Sequence, residues 1–329
     1  MGTMQTEKIG LAMIGCGQIA RAHLRAIAKN QHAELVAAMD IVEERAHTTA
    51  EEYHAKAYTS VDEVLADDRV DAVVLPLPHH LHCPIAIQSA EAGKHILVEK
   101  PMALDLSEAL QMVKAAEEAD VRLMVGQSTR FRPEVWTAKS IIDSGKLGKI
   151  QQCFHQRTWF LKRLSTEWRY SSEECGGLYL PIFSSHDVDM VLWFMDAAPV
   201  TVHSLLRSYT SLTDAESDGI VNIELSGGGI ASLAFSMTSH IARHSALFIG
   251  TEGSLLIQGS KLSVNGEVIS LDREKDQFVP QMQEFVDAIR ASREPSPSGR
   301  DALPTVAVLD AAKESAATAS VIDMAKKLQ

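Results

Sequence analysis

The feature that most constrains the fold is Gly15-Cys16-Gly17-Gln18-Ile19-Ala20, because of what stands on either side of it. Residues 8–14 are a short apolar run, and over 21–29 the pattern turns helical, with Ile19, Leu24 and Ile27 as the candidate buried face. Strand, glycine turn and helix in that order give each small residue a purpose. Gly15 permits the tight turn, Gly17 leaves no side chain in the way of a pyrophosphate, and Ala20 lets helix and strand pack closely. The helix N-terminus adds backbone N–H groups and the positive end of a dipole. A second apolar run, 34–39, ends in Asp40, about twenty residues beyond the motif, where an acid takes the adenosine ribose hydroxyls. The pattern predicts a doubly wound α/β unit that binds a dinucleotide. A carboxylate at Asp40 repels a 2′-phosphate, and Ile41-Val42-Glu43 supplies no cation, while Arg45 opens the next helix; NAD is expected rather than NADP.

The alternation continues with a helix from 61, a strand over 71–75, and Pro76-Leu77-Pro78-His79-His80-Leu81-His82. Adjacent histidines rarely converge on one ion, and no cysteine or carboxylate accompanies them at ligand spacing, so no metal is expected. A loop leading into a helix over 84–92 is the simpler reading. Then comes His95-Ile96-Leu97-Val98-Glu99-Lys100-Pro101, a buried strand with charges at its carboxyl end, where ligands gather in open parallel sheets. A lysine there can act on a substrate; the plain alternative is a surface Glu99/Lys100 ion pair with Pro101 stopping the strand. A helix over 106–119 and a strand over 122–126 complete the pattern.

Beyond Gly126, runs at 150–157, 200–208, 219–225, 229–236, 245–250 and 254–257 read as strands, interrupted by a helix around 184–195. Stretches 211–218 and 292–300 read as polar loops, and 302–327 is alanine-rich and helical.

The segments Gly15–Ala20, Leu77-Pro78-His79-His80-Leu81-His82, Glu91-Ala92-Gly93-Lys94-His95, Glu99-Lys100-Pro101, Gly126-Gln127, Arg130-Phe131, Trp168-Arg169, Gly176-Gly177 and His186-Asp187-Val188-Asp189 together resemble the Gfo/Idh/MocA oxidoreductases. The likeness runs along nearly the whole chain. It implies a Rossmann domain over 1–126, an α+β domain over 127–301 with a large, open-faced, mainly antiparallel sheet, and a C-terminal helix of about 302–329 packing back on the first domain. It implies oxidation of a secondary alcohol on a sugar, inositol or other cyclic polyol, with Lys100 and His186 as acid/base groups. The implied cofactor residues are Gly15, Cys16, Gly17, Gln18, Ile19, Asp40, Ile41, Arg45, Pro76, Leu77, His79, His82, Glu99, Lys100, Gln127, Trp168 and Arg169. Lys100, Trp159, Tyr179, Ile182, His186 and His240 are the substrate-side candidates, and a homodimer or homotetramer is expected through the second sheet.

Three departures from the family pattern stand out. The aspartate usual one helical turn before the histidine is Ile182, a cofactor-side threonine is Leu77, and a tyrosine before the late helix is Phe278. Losing that carboxylate keeps two other activities in view: NAD-assisted glycoside cleavage, and non-catalytic NAD binding by a regulator. For His186 itself the plain alternative is a capped helix start, with Ser184 or Ser185 as cap.

Composition narrows the rest. A net charge of −12 with no basic patch argues against nucleic-acid or anionic-membrane partners. No apolar run is long enough to span a bilayer, and four scattered cysteines suggest neither zinc nor disulfides, so a reducing, cytoplasmic setting is expected. Met1-Gly2-Thr3-Met4-Gln5-Thr6 loosely fits a myristoylation pattern and reads as a frayed tail.

Overall fold

The computed structural model describes residues 8–327, so the opening tail lies outside the described residues. The chain divides into two compact units. The first takes residues up to Ala103 together with Ser107–Ser128 and Asp276–Ala302; the second takes Leu104–Leu106, Thr129–Lys275 and everything from Leu303 on.

In the first unit, β1 (Ile9–Ile14), β2 (Ala33–Met39), β3 (Lys56–Tyr58), β4 (Ala72–Leu75), β5 (His95–Glu99) and β6 (Leu123–Gly126) form an all-parallel sheet ordered β3-β2-β1-β4-β5-β6. Residues 11–14 and 72–75 are fully buried, the continuous apolar runs of strands covered on both faces. Strand order reverses between β1 and β4, and ligands bind where such a reversal opens a crevice at the carboxyl ends. The helix Ala20–Lys29 follows β1 directly. A late helix, Phe278–Arg290, returns to pack on it, with Asn30 Nδ2 donating to Gln283 Oε1 at 3.2 Å.

The second unit carries β7 (Ile150–Phe160), β8 (Pro199–Arg207), β9 (Asp218–Leu225), β10 (Gly229–Ser236), β11 (Thr238–Gly250), β12 (Ser254–Gln258), β13 (Lys261–Val264), β14 (Glu267–Val268) and β15 (Ile322–Asp323). Their order is β14-β13-β12-β11-β7-β10-β9-β8-β15, antiparallel except where β7 meets β10. Burial alternates along β9 and β10, so one face is covered and the other left open. On the covered face lie Cys153, His155, Val221, Ile223, Leu233 and Phe248. The open face shows Phe154, Leu205, Ile220 and Ile230, each between 42% and 53% exposed.

Two expectations change. The late stretch from Leu303 groups with the second unit: β15 pairs with β8, and Ser204 N donates to Ser315 Oγ at 3.0 Å. The strand expected at 245–250 is the end of a thirteen-residue β11, which a register break near residues 239–242 splits into two parts along β7. Residues 240–243 are all exposed, Ile241 and Ala242 among them, so no alternation marks a strand there. Among the described residues, no helix is long and apolar enough to cross a membrane.

Candidate active site

At the carboxyl end of β1, Gly15 sits at φ +100°, and a Cβ on it would lie 2.9 Å from Leu77 Cδ2. Two turns therefore meet here, the glycine turn after β1 and the 76–78 turn after β4, and only glycine fits between them. Asp40, 6% exposed, accepts Cys16 N–H at one carboxylate oxygen and Val42 N–H at the other, both at 2.9 Å. This clasp ties the glycine turn to the end of β2. At Gly17 a Cβ would meet nothing within 4 Å, and the helix beginning at Ala20 has no side-chain cap. Ile19 and Ile41 stay exposed, Ile41 to 86%, and Arg45 is exposed as well.

Buried Pro76 and half-buried Leu77 close the next turn, and His82 braces it. Its ring is fully buried, with Nδ1 2.8 Å from the Pro101 carbonyl and Nε2 3.0 Å from that of Leu77. Burial pushes this imidazole's pKa down against the pull of both carbonyls. His79 is also buried and lies on the short 3₁₀ turn His79–Leu81 that precedes the helix His82–Glu91. The helix thus starts two residues earlier than the proline at 84 suggested.

Glu99 ends β5, and Lys100, half-buried, follows it. The plain alternative, a surface Glu99/Lys100 pair, is not the arrangement found, because Glu99 is buried. Glu99 is 8% exposed and its Oε1 lies 2.8 Å from Nε2 of His23, while Oε2 accepts the backbone N–H of Lys100 at 3.2 Å. Burial alone would raise the Glu99 carboxyl, but the hydrogen bond and charge of His23, with Lys100 behind them, hold it below its ordinary range. His23 had no place among the sequence candidates. It lies 76 positions away on a helix whose apolar spacing does not mark it. Gln127 is buried just after β6.

In the second unit, His186 is the second residue of the helix Ser185–Met195 and is half-buried. A single π turn, Leu180–Ser184, precedes it, a feature concentrated at functional sites. Neither serine caps the helix: Ser185 Oγ donates back to the Pro181 carbonyl at 3.0 Å, and Ser184 Oγ is buried without a partner. Ile182 is 4% exposed.

Three carboxylates at the start of this helix are engaged. Asp189 takes a bidentate pair from Arg130, 2.7 Å at each oxygen. Glu216 accepts Leu178 N at 3.0 Å and Leu180 N at 2.8 Å, capping the π turn. Asp187 accepts Arg157 Nη2 at 2.6 Å and the Tyr179 hydroxyl at 3.1 Å, with His155 Nε2 3.3 Å away. Among the described residues, His155, Asp187 and His244 are the group whose donor atoms converge enough for a metal, all within 4.8 Å. The Arg157 guanidinium fills that position, 2.9 Å from His244 Nε2 as well, and already supplies the positive charge.

Tyr179, expected to face substrate, is 1% exposed and stacked on Phe235 at 3.8 Å. Its ring belongs to the core and its hydroxyl to Asp187. Trp159 is half-buried, edge-on to Phe183 at 4.7 Å. His240 is exposed and stacks on Phe160 at 4.4 Å. Arg169, half-buried, lies against the Trp168 ring at 5.1 Å and donates to Ser165 Oγ, while its Nε has no partner. Burial lowers its pKa.

The family model described as "Oxidoreductase family, NAD-binding Rossmann fold" matches residues 9–127, and the "GFO/IDH/MocA C-terminal domain" model matches 135–256. The chain belongs to the Gfo/Idh/MocA oxidoreductase family. An uncharacterized oxidoreductase of Streptococcus pneumoniae is 30% identical over 74% of this chain and 66% of its own length. The 2,7-anhydro-N-acetylneuraminate hydratase of Mediterraneibacter gnavus is 29% identical over 85% of this chain and 75% of its own. Inositol 2-dehydrogenase of Rhizobium meliloti is 26% identical over 97% of this chain and 100% of its own. Among solved structures, the WlbA dehydrogenase of Bordetella pertussis with NADH and UDP-GlcNAcA superposes with a TM-score of 0.87 at 26% identity, covering 96% of this chain and 98% of that one. As a Gfo/Idh/MocA oxidoreductase the chain needs room for a nicotinamide dinucleotide, and the first unit offers open space at Gly17, an uncapped helix start, and exposed Ile19 and Ile41.

The imidazole cluster makes stability depend on pH. Burial lowers the pKa of His155 and takes that of His244 down to about 3, from 6.5 unfolded. Between those values the unfolded chain binds the extra proton, so stability is full above pH 6.5 and falls as pH drops toward 3. His244 alone contributes a slope of up to about 1.4 kcal/mol per pH unit in that window. Urea titrations from pH 7 to pH 4 should show a shallower decline for His244→Gln than for the parent chain; equal slopes would exclude His244 as the source.

Proposed function

We propose that this oxidoreductase uses NAD to oxidise a secondary alcohol of a sugar, inositol or related cyclic polyol, with Lys100 and His186 handling the hydroxyl proton. The observation that carries the reading is Lys100 at the carboxyl end of β5, next to a buried Glu99 that is held ionised. Gly15, Cys16, Gly17, Gln18 and Ile19 would receive the pyrophosphate, and Asp40 with Ile41 the adenosine end. NAD bound there supplies a hydride acceptor. Lys100 takes the proton as the alcohol becomes a carbonyl, and its charge then holds the oxygen; His186 is the second acid/base group. With both carboxylates of this helix, Asp187 and Asp189, engaged, Glu216 holding the π turn and Ile182 apolar, that work falls to an amine and an imidazole. Trp159, Ile182 and His240 are the proposed substrate contacts, and Trp168 and Arg169 lie on the cofactor side. Arg169, a half-buried cation set against the Trp168 ring and the Ser165 hydroxyl, suits an anionic group.

A second reading has one specific support. The relative named a hydratase catalyses a reaction with no net redox change, and the missing aspartate weakens the case for simple dehydrogenation. In that reading the substrate is turned over while NADH does not accumulate.

Three outcomes follow. A screen of sugars and inositols should give NADH absorbance that Lys100→Ala reduces by about 10²–10⁴-fold; undiminished turnover would remove Lys100 from the mechanism, and product without NADH would favour the second reading. Calorimetry should find NAD bound at least about tenfold more tightly than NADP, since Asp40 repels a 2′-phosphate; a preference for NADP sinks that argument. The open face of the second sheet, where Leu205 pairs with Ile220, fits a homodimer or homotetramer contact. Sedimentation should therefore give a multiple of 35.9 kDa that Leu205→Lys lowers, and a monomeric parent chain would refute it.

A further inference from the structure

The pair His23–Glu99 joins two parts of the first unit that do different work. His23 is the fourth residue of the helix Ala20–Lys29, one turn past the glycine turn. Glu99 closes β5, which lies two strands from β1 in the sheet. The imidazole is 1% exposed and meets Glu99 Oε1 at 2.8 Å, while Glu99 Oε2 accepts Lys100 N–H at 3.2 Å. The ring of Phe278 closes the outer side, edge-on with centroids 5.1 Å apart, and brings no hydroxyl to the contact. His23 Nδ1 is buried without a partner.

We propose that His23 is a positioning residue: through Glu99 it locks the backbone at Lys100 to the helix whose start receives the cofactor pyrophosphate. Packing alone does not account for a histidine here. An imidazole in a buried helix face costs desolvation, and a leucine would fill the space without it. What the imidazole adds is a directed donor to one carboxylate oxygen, leaving the other for the Lys100 amide. Without that donor, Glu99 is a buried carboxylate lacking its main counter-group, so it becomes protonated or turns away, and the Lys100 amide loses its acceptor. The dinucleotide then binds a helix start no longer coupled to the lysine. The inference rests on the proposed use of Lys100 and of the glycine turn.

The test is a double-mutant cycle on the full chain with NADH binding followed by fluorescence and the Lys100 amide by NMR. His23→Leu should weaken NADH binding by about tenfold, the loss expected for one charge-assisted hydrogen bond. His23→Gln, which keeps a donor, should restore most of it. Glu99→Gln should weaken binding too, and His23→Leu with Glu99→Gln should be no weaker than Glu99→Gln alone. Unchanged binding in His23→Leu with a lowered melting temperature, or losses that add, would overturn the proposal. If the parent chain bound no NADH, the dinucleotide reading would fall separately. The ligand-free spectrum then decides: the Lys100 amide proton should move in His23→Leu and return in His23→Gln, and an unmoved resonance refutes the lock.

Discussion

The clasp on which the first unit's site depends is Asp40 taking two backbone N–H groups, one from the glycine turn and one from the chain beyond β2. Backbone donors in a turn that leaves space for a ligand have no helix or sheet partner, and a carboxylate is the acceptor best able to hold one of them in place. The same device recurs elsewhere. Asp71 Oδ2 accepts Gly10 N at 2.7 Å at the start of β1, Glu216 accepts the amides that enter the π turn, and Asp310 accepts Leu106 N at 2.9 Å. Part of the acidity of the chain therefore serves to fix loops, and a surplus of carboxylates in the sequence does not mean a surplus of catalytic ones.

This division of labour explains how the second unit accommodates the lost aspartate. A carboxylate beside His186 is present in the sequence as Asp187, yet Arg157, Tyr179 and His155 surround it. Removing one member of such a cluster leaves a buried charge uncompensated, typically at about 3–5 kcal/mol. The cluster therefore fixes the helix that carries His186, and its members are poorly placed to exchange protons with a substrate.

The first unit was largely legible because its signals are local and ordered: an apolar run, a turn made of glycines, a helix, and an acid at a set distance. Gly15, Gly17 and Asp40 stand where spacing put them. What was not legible was pairing across long separations. His23 finds Glu99 76 positions on, and nothing in helical periodicity marks that residue. Tyr179 misled for the opposite reason: aromatic and polar-tipped, it reads as a ligand contact, but its hydroxyl is taken by a buried aspartate. The π turn at Leu180–Ser184 also left no trace, since wider turns carry no composition of their own.

That wider turn has a consequence for how the site could change. An extra residue is lodged immediately before the helix bearing His186, and each helical residue turns the face by about 100°. The direction in which the imidazole points is thus set by a count of residues and is independent of its own identity. Deleting one residue between Leu180 and Ser184 would remove the wide turn, and the helix could follow by rotating only if the buried Asp187 and Asp189 ion pairs gave way. The number of residues in this short stretch and the two buried ion pairs behind it must therefore agree for the imidazole to keep its face.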